Sequence, residues 1–249
     1  MGISMCALAA QAQIFTPSVP QSGLIGYFAG NDNAQDSSSF HNDGLFPAGL
    51  YAAGQVGNAF DLSSGPVTIP NIPAYQITSD FSVDFWFKGG VGNGIAFLGQ
   101  DEGGGGVTKW FVDYGYGHPG QFGILPYTQG DLVVFLPASP ASFDPSQWNN
   151  LAVVKSESSY GFYLNGVAIG GQGFGRPFPT PSAPITLGYA EGGLSYSGAL
   201  DEVVLYNRAL SPTEVGQLAG ITPVPEPAAY AAVSGLALLG FAAWSWRQR

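Results

Sequence analysis

Cysteine is almost absent from this chain. The only one, Cys6, lies in an apolar N-terminal stretch of the 249 residues, so an intramolecular disulfide and a cysteine-based metal site are both excluded. Histidine is nearly as rare. His41 and His118 are the only two, and each lies among turn residues, which leaves zinc chemistry without ligands. A protein of this composition, if exported, has to be stabilised by its hydrophobic core alone.

Positive charge is also scarce. Seven lysines and arginines stand against 17 aspartates and glutamates, which gives a formal net charge of −10, and two of the seven, Arg247 and Arg249, end the chain. So acidic a body repels phosphate backbones, and nucleic acid is therefore excluded as a partner. Cations and neutral glycans remain open as ligands.

Glycine and proline are abundant, with 37 and 19 residues, and so many turn formers favour β-structure. The segment Phe81–Phe87 alternates apolar and polar side chains, which predicts a half-buried strand. Tyr160–Leu164 and Val167–Ile169 flank Asn165-Gly166, the pair typical of a type I′ hairpin turn. Similar runs recur without an intervening helical pattern, so we predict one all-β domain, an antiparallel two-sheet sandwich or jelly roll.

One short helix is predicted near the end of this domain. Ser211 is a good N-cap, Pro212 suits the first helical position, and Glu214 occupies the capping-box position. We expect this helix to pack across an end of the sandwich.

The N-terminus resembles a targeting segment. Residues 1–13 are mostly apolar and end in the small-residue pattern Ala10-Gln11-Ala12, which predicts a signal-peptide remnant cleaved after Ala12, followed by a linker over 14–22. An ordinary disordered N-terminus is the alternative.

The C-terminal segment carries the most specific signal. Residues 228–246 contain no charge, and as a helix they rise about 28 Å, close to the roughly 30 Å hydrocarbon core of a bilayer. Arg247 and Arg249 follow at once, which predicts a transmembrane helix with residues 247–249 on the cytoplasmic side and the body outside. A buried core helix is the alternative.

Directly before that helix stands Pro225-Glu226-Pro227, within a proline-rich linker over 221–227. This order of Pro-Glu-Pro, apolar helix and short Arg-rich end resembles the PEP-CTERM sorting signal. The resemblance implies that an exosortase, a membrane transpeptidase of Gram-negative bacteria that make exopolysaccharide, cleaves near the motif. The precursor would be anchored in the inner membrane and the mature protein would reach the cell surface or extracellular matrix. A plain tail anchor is the alternative.

Four blocks between residues 23 and 220 carry a second resemblance. They are Leu24–Phe28 with Asp36 and Asn42-Asp43-Gly44, Gly57–Asp61 with Phe81–Phe87, Trp148–Ala152 with Tyr163–Gly166, and Gly198–Val203 with Tyr206–Ser211. In this order they resemble LamG-like domains of the concanavalin A-like jelly-roll family. The resemblance implies two stacked antiparallel sheets that bind glycans or proteins. It also implies a structural calcium ion near Asp36 and Asp201, for which solvated turn acids are the alternative.

Catalytic patterns are missing. A glycosidase on this fold needs two carboxylates on the same face of one strand, and the adjacent pair Asp201-Glu202 points to opposite faces of its predicted strand. The string Gly193–Gly198 misses a nucleophile elbow by one residue. We therefore predict that the protein is not an enzyme.

One aromatic strand is a candidate binding surface. Trp110, Tyr114 and Tyr116 recur at every second or fourth position, and aromatic rings on a sheet face stack on the apolar faces of sugars. The alternative is that this face belongs to the core.

Together these features predict an exported, exosortase-sorted surface or matrix protein that binds extracellular polysaccharide. The rival hypothesis is a structural or adhesive protein that binds another surface protein and has no glycan site. A hydrolase of matrix glycans is a third and weaker hypothesis.

The sorting signal is testable by itself. In a host with an exosortase, the mature protein should be about 2 to 3 kDa smaller than its precursor and lie outside the inner membrane, because the tail is removed. Replacing Pro225, Glu226 and Pro227 with alanine lets the helix extend backwards over the cleavage segment, so full-length protein should accumulate in the membrane. Fractionation and immunoblotting measure both, and unchanged cleavage of the variant would leave a plain tail anchor.

Overall fold

The computed structural model describes residues 18–101, 105–131 and 133–221. The predicted signal-peptide remnant, the Pro-Glu-Pro motif and the C-terminal helix lie outside these residues. Within them, no helix is long and apolar enough to cross a membrane.

Nearly all regular structure in the described residues is β-strand. In chain order the strands are β1 Leu24–Phe28, β2 Tyr51–Ala53, β3 Asn58–Asp61, β4 Val67–Ile69, β5 Phe81–Lys88, β6 Ile95–Gln100, β7 Lys109–Tyr114, β8 Phe122–Tyr127, β9 Leu136–Pro137, β10 Asn149–Ser156, β11 Ser159–Leu164, β12 Val167–Gly173, β13 Ile185–Leu187, β14 Tyr189–Ala190, β15 Leu194–Ser195 and β16 Ala199–Tyr206. One α-helix, α1, spans Pro212–Leu218.

Two antiparallel sheets pack face to face. The larger follows the order β12-β11-β10-β5-β16-β3-β2, with β1 also paired to β16, and the smaller follows β4-β13-β6-β7-β8-β9. The short hairpin of β14 and β15 lies beside β6. This confirms the predicted all-β, two-sheet jelly roll.

Phenylalanine rings fill the space between the sheets. Phe85 and Phe87 of the larger sheet contact Phe97 of the smaller, with ring centroids 5.3 and 5.0 Å apart, and Phe87 also meets Phe122 at 5.7 Å. These rings are buried. Burial of each large apolar side chain contributes roughly 1.5–3 kcal/mol, so this aromatic layer dominates the cohesion of the sandwich.

The expected half-buried strand over Phe81–Phe87 is buried on both faces. Every residue of β5 except Lys88 is buried, because α1 and its flanking residues cover the outer face of the larger sheet. Val215 and Leu218 of the helix join the same buried apolar cluster as Val204, and Trp86 Nε1 donates a hydrogen bond to the Leu218 carbonyl at 3.3 Å. The helix therefore lies over a sheet face, and not across an end of the sandwich as expected.

The local turn and cap predictions are confirmed. Asn165 and Gly166 both have positive φ, +50° and +74°, as a type I′ turn requires. Ser211 caps α1, and Glu214 completes the capping box.

A carboxyl group lies beneath this helix layer. Asp84 is fully buried, and its Oδ1 accepts a hydrogen bond from Asn150 Nδ2 at 2.8 Å, while its Oδ2 has no hydrogen-bond partner among the described residues. Burial raises the pKa of Asp84 to about 8, although the Asn150 hydrogen bond acts in the opposite direction. The folded protein therefore holds a proton that the unfolded chain releases near pH 4.

This proton makes stability depend on pH. Between about pH 4 and pH 8 the folded state binds more protons than the unfolded state, so the free energy of unfolding should fall as the pH rises. Asp84→Asn keeps the shape and removes the titration, so urea unfolding at pH 5 and pH 8 should show a smaller difference than in the wild type. Asp144→Asn is the control, because hydrogen bonds from Ser146 lower the pKa of that exposed carboxyl. An equal pH difference in wild type and Asp84→Asn would contradict this account.

Candidate functional site

Trp110 is a core residue. Its side chain is 1% exposed, its Nε1 donates a hydrogen bond to Gln100 Oε1 at 3.2 Å, and its ring packs edge-on against Phe81 at 5.1 Å. The sugar platform predicted at Trp110 is therefore wrong, because the indole ring has no free face for a sugar. Side chains alternate along β7 as predicted, and the side that carries Trp110 faces the interior.

Tyr114 and Tyr116 do not share one surface. Tyr114 lies on the inner side of β7 against Phe122, at 5.0 Å. Gly115 then adopts a left-handed conformation, φ +75°, which turns the chain so that Tyr116 packs with Phe111 and Phe135 on the opposite, outer side. Of the three predicted binding residues, only Tyr116 is a partly exposed residue on an outer sheet face.

The outer face near Tyr116 contains a buried acid and base. Asp113 Oδ1 lies 3.0 Å from His118 Nε2 and also accepts a hydrogen bond from the Tyr116 amide at 3.1 Å. Burial raises the pKa of Asp113, while the His118 contact acts to lower it. Because both contacts are to the loop that joins β7 to β8, this arrangement holds the loop in place.

A more open site lies where several loops meet beyond β7 and β8. We call it the threonine cleft. It has a volume of about 540 Å³, and its lining combines hydroxyls, prolines and one ion pair: Thr78, Thr108, Thr128, Thr180, Asp131, Arg176, Pro177, Phe178 and Pro179.

Strand register brings two of the threonines together. Thr108 directly precedes β7 and Thr128 directly follows β8, and the adjoining residues Lys109 and Tyr127 are paired across the two strands. The Gln129 amide donates a hydrogen bond to Thr108 Oγ1 at 3.0 Å. The hydroxyl proton of Thr108 therefore stays available to a ligand.

The opposite wall of the cleft is tied to the core by Phe178. This buried ring stacks on Phe81 at 4.7 Å and contacts Trp110 at 5.6 Å. Pro177 and Pro179 flank it, and proline restricts both its own backbone and that of the preceding residue to extended conformations. Trp110 thus supports the cleft from beneath without touching its open space.

One ion pair crosses the cleft. Arg176 Nη1 lies 3.2 Å from Asp131 Oδ2, with the two side chains 41% and 45% exposed, and the guanidinium carbon lies 5.7 Å from the centre of the Phe174 ring. Neither residue belongs to a pattern in the sequence that predicts a site. The available signal was that Arg176 is one of only five positive residues before the C-terminal tail and interrupts a Gly-Pro-rich run.

The two predicted calcium ligands have different surroundings. The Asp36 carboxylate accepts four hydrogen bonds, from the Tyr27, Ser38 and Asn42 amides and the Ser38 hydroxyl. It therefore organises its own loop and has little capacity left for a cation.

Asp201 keeps a capacity to coordinate a cation that Asp36 lacks. Its Oδ2 accepts a hydrogen bond from the Val56 amide at 2.9 Å, but Asp201 Oδ1 and Glu202 Oε1 are buried without partners among the described residues. Burial raises the pKa of Asp201 to about 7.

Glu202 lies at an irregularity in β16 with φ +52°. This irregularity disturbs the alternation of side chains between the two faces that is expected of neighbouring strand residues. No group of three His, Cys, Asp or Glu side chains in the described ranges is arranged to hold a metal ion.

Comparison with known proteins identifies related folds. The Laminin_G_3 family model, described as the concanavalin A-like lectin/glucanases superfamily, matches residues 61–216. Domain 4 of AbnA, a GH43 extracellular arabinanase from Geobacillus stearothermophilus, solved in complex with arabinotriose, is similar with a TM-score of 0.63 at 21% identity, over 80% of this chain and 100% of that one.

Two further solved structures share the architecture. The binding domain of Paraclostridial Mosquitocidal Protein 1 gives a TM-score of 0.62 at 16% identity, over 80% of this chain and 52% of that chain. The ligand binding domain of botulinum neurotoxin serotype D, in complex with N-acetylneuraminic acid, gives 0.59 at 13% identity, over 79% and 50%. At these identities the similarity concerns the fold. No curated protein matches the sequence.

Proposed function

The chain belongs to the concanavalin A-like lectin/glucanases superfamily, and from this premise we propose that its body is a glycan-binding module whose site is the threonine cleft. Two similar structures were solved with sugars, arabinotriose and N-acetylneuraminic acid. Those ligands belong to those proteins, but they support a search for a sugar site in this one.

The single observation that carries the proposal is the lining of the cleft. Threonine hydroxyls both donate and accept hydrogen bonds, as sugar hydroxyls do. The Arg176–Asp131 pair supplies further donors and acceptors, and the prolines offer apolar surface for the C–H faces of a sugar ring. A concave site with a few polar groups on an apolar floor is the usual form of a small-ligand site.

The charge balance favours a neutral glycan. Asp131 neutralises Arg176 within the cleft, and the whole chain has a formal net charge of −10. An acidic polysaccharide is repelled by such a field. We therefore propose an uncharged extracellular polysaccharide as the natural ligand.

We further propose that the cleft binds glycans without hydrolysing them. Hydrolysis by the usual mechanism needs two carboxyl groups beside the scissile bond, and Asp131 is the one carboxylate among the described lining residues of the cleft. A matrix-glycan hydrolase would need a second acid there.

The cellular setting is part of the same proposal. Export, cleavage at Pro225-Glu226-Pro227 by an exosortase and release from the inner membrane of a Gram-negative bacterium would bring the module to the polysaccharide outside the cell. The C-terminal helix would be the membrane contact of the precursor only.

Calcium binding at Asp201 and Glu202 is a second proposal. Each carboxylate leaves one buried oxygen without a partner among the residues that the structure describes, and Ca²⁺ prefers such hard oxygen ligands. Its charge would offset the cost of burying two acids together. Asp36 is not included in this proposal.

Sugar binding by the threonine cleft is directly testable. In calorimetry with neutral oligosaccharides including arabinotriose, a neutral probe should bind and N-acetylneuraminic acid should bind more weakly. Arg176→Ala should weaken that binding about tenfold or more, because a hydrogen bond to a charged group contributes about 1.5–3 kcal/mol. Thr128→Val, which removes only the hydroxyl, should weaken it about fivefold.

Lys88→Ala is the matched control for charge. Lys88 is exposed and lies at the end of β5, about 23 Å along the strand from Phe81 beneath the cleft, so this variant should bind as the wild type does. Equal affinity of the Arg176, Thr128 and Lys88 variants would mean that the glycan binds outside the threonine cleft, against the proposal. No binding to any neutral probe would favour the adhesive protein without a glycan site.

Calcium binding is testable by thermal unfolding. A cation that binds only the folded state raises the free energy of unfolding by mass action, by about 2.7 kcal/mol at a hundredfold excess over Kd. The melting temperature rises as a result. Asp201→Asn should abolish the rise, whereas Asp36→Asn should lower the melting temperature with and without calcium but keep the rise. Superimposable melting curves of the wild type in calcium and in chelator would remove the proposal.

A further inference from the structure

Lys109, at the start of β7, is buried against two carboxylates. Its side chain is 2% exposed, and its Nζ contacts Glu191 Oε2 and lies 4.0 Å from Asp101 Oδ1. The Asp101 side chain is 1% exposed and that of Glu191 is 19% exposed. An amine, a carboxyl carbon and a second carboxylate are thus held together on the outer face of the smaller sheet.

The backbone fixes this arrangement from three directions. Glu191 lies in the turn between β14 and β15 with φ +54°, and its amide donates a hydrogen bond to Asp101 Oδ2 at 2.6 Å. Lys109 lies directly opposite Tyr127 in the strand register. Each reacting side chain is therefore attached to backbone that neighbouring strands or hydrogen bonds hold in place.

Buried apolar side chains share the outer face with these groups. Ala190, Phe111 and Tyr127 belong to one buried cluster on the same outer face. Burying an ammonium group and carboxylates in such surroundings carries a desolvation cost for each charge. An amide between Lys109 and Glu191 carries no charge and removes that cost for these two groups.

The other cations of the described body are arranged differently. Lys155 is equally buried, but its Nζ donates a hydrogen bond to the Glu157 carbonyl at 2.7 Å. Arg208 meets Glu214, and a guanidinium does not lose its proton in proteins. Lys109 alone among these described cations combines burial, an amine and a carboxyl contact.

We propose that Lys109 and Glu191 are joined by an intramolecular isopeptide bond, with Asp101 as the group that transfers the proton. Asp101 transfers one proton from Nζ of Lys109 to the Glu191 carboxylate, and the lone pair of the resulting neutral amine forms a bond to Cδ of Glu191. Asp101 then takes a second proton from that nitrogen and gives it to the Glu191 hydroxyl oxygen, whose C–O bond breaks as it leaves as water. The balance is one ammonium plus one carboxylate giving one amide and one water, with no oxidant or cofactor.

The bond gives this cysteine-poor chain a covalent cross-link. It would tie β7 to the β14–β15 turn and close a loop of about 80 residues, which by the chain-entropy argument raises the melting temperature on the order of 10 °C. The proposal is independent of what the threonine cleft binds.

Peptide mapping of the full chain tests the bond directly. Trypsin does not cleave after an amidated lysine and cleaves poorly before proline, as at Arg176-Pro177. The cross-linked protein should yield residues 89–155 joined to residues 156–208, at a mass about 18 Da below the sum of the two peptides, because one water is lost. An uncross-linked chain yields 89–109, 110–155 and 156–208 as separate peptides, and that result in the wild type would overturn the proposal.

Three variants assign the roles. Lys109→Arg and Asp101→Asn should give separate peptides. Glu191→Gln should give a joined peptide of the same mass as the wild type, because it loses ammonia, about 17 Da, where the glutamate loses water. Lys155→Arg is the matched control, since it alters the other buried lysine, keeps the trypsin site and should leave the cross-link intact. Joined peptides in Lys109→Arg would mean that another residue is linked, against the proposal.

Discussion

The stacking of Phe178 on Phe81 is the contact on which the functional account depends. The two rings lie 4.7 Å apart and nearly parallel, with an interplanar angle of 24°. Phe81 begins the central strand β5, so the Pro-rich segment that carries Arg176 and Thr180 is anchored to the most buried part of the sandwich. Such an aromatic pair contributes about 0.5–1.5 kcal/mol beyond burial of its surface. Without it, one wall of the threonine cleft would have no fixed position.

Scarcity of positive charge explains much of the remaining chemistry. Lys109, Arg176 and Arg208 each contact a carboxylate. Few positive side chains are then left to pair with the other acidic residues. Asp84 and Asp201 are therefore buried without a cationic partner among the described residues, and burial raises the pKa of each. The same shortage is the reason why we propose a cation and a neutral glycan as ligands.

Local patterns predicted much of the fold. The Asn165-Gly166 turn, the Ser211 cap and the inward face of β5 follow from conformational preferences of a few adjacent residues, and the structure confirms all three. The outer face of β5 did not follow, because whether a helix covers a strand depends on tertiary packing. Which face of β7 lies inside was equally undetermined, since alternation alone does not say which side meets the other sheet.

The candidate site was far less predictable. Arg176 and Asp131 are 45 residues apart in the chain, and Thr108 and Thr128 come from separate loops that the register of β7 and β8 brings together. The turn at Gly115, which separates Tyr116 from Trp110, is a single-residue conformation that alternation does not reveal. Residues of a loop-built cleft have no common spacing, so no sequence pattern identifies them.

Hydrogen–deuterium exchange with a bound neutral oligosaccharide tests the central claim most directly, because it reports where the ligand lies. With arabinotriose or another neutral probe that binds, the account predicts slower exchange in residues 127–131 and 174–180, at the two walls of the threonine cleft, and unchanged exchange in the loop over 115–121 around Tyr116. Protection confined to that loop, or spread over the edge strand β12 with the cleft unchanged, would contradict the assignment of the site.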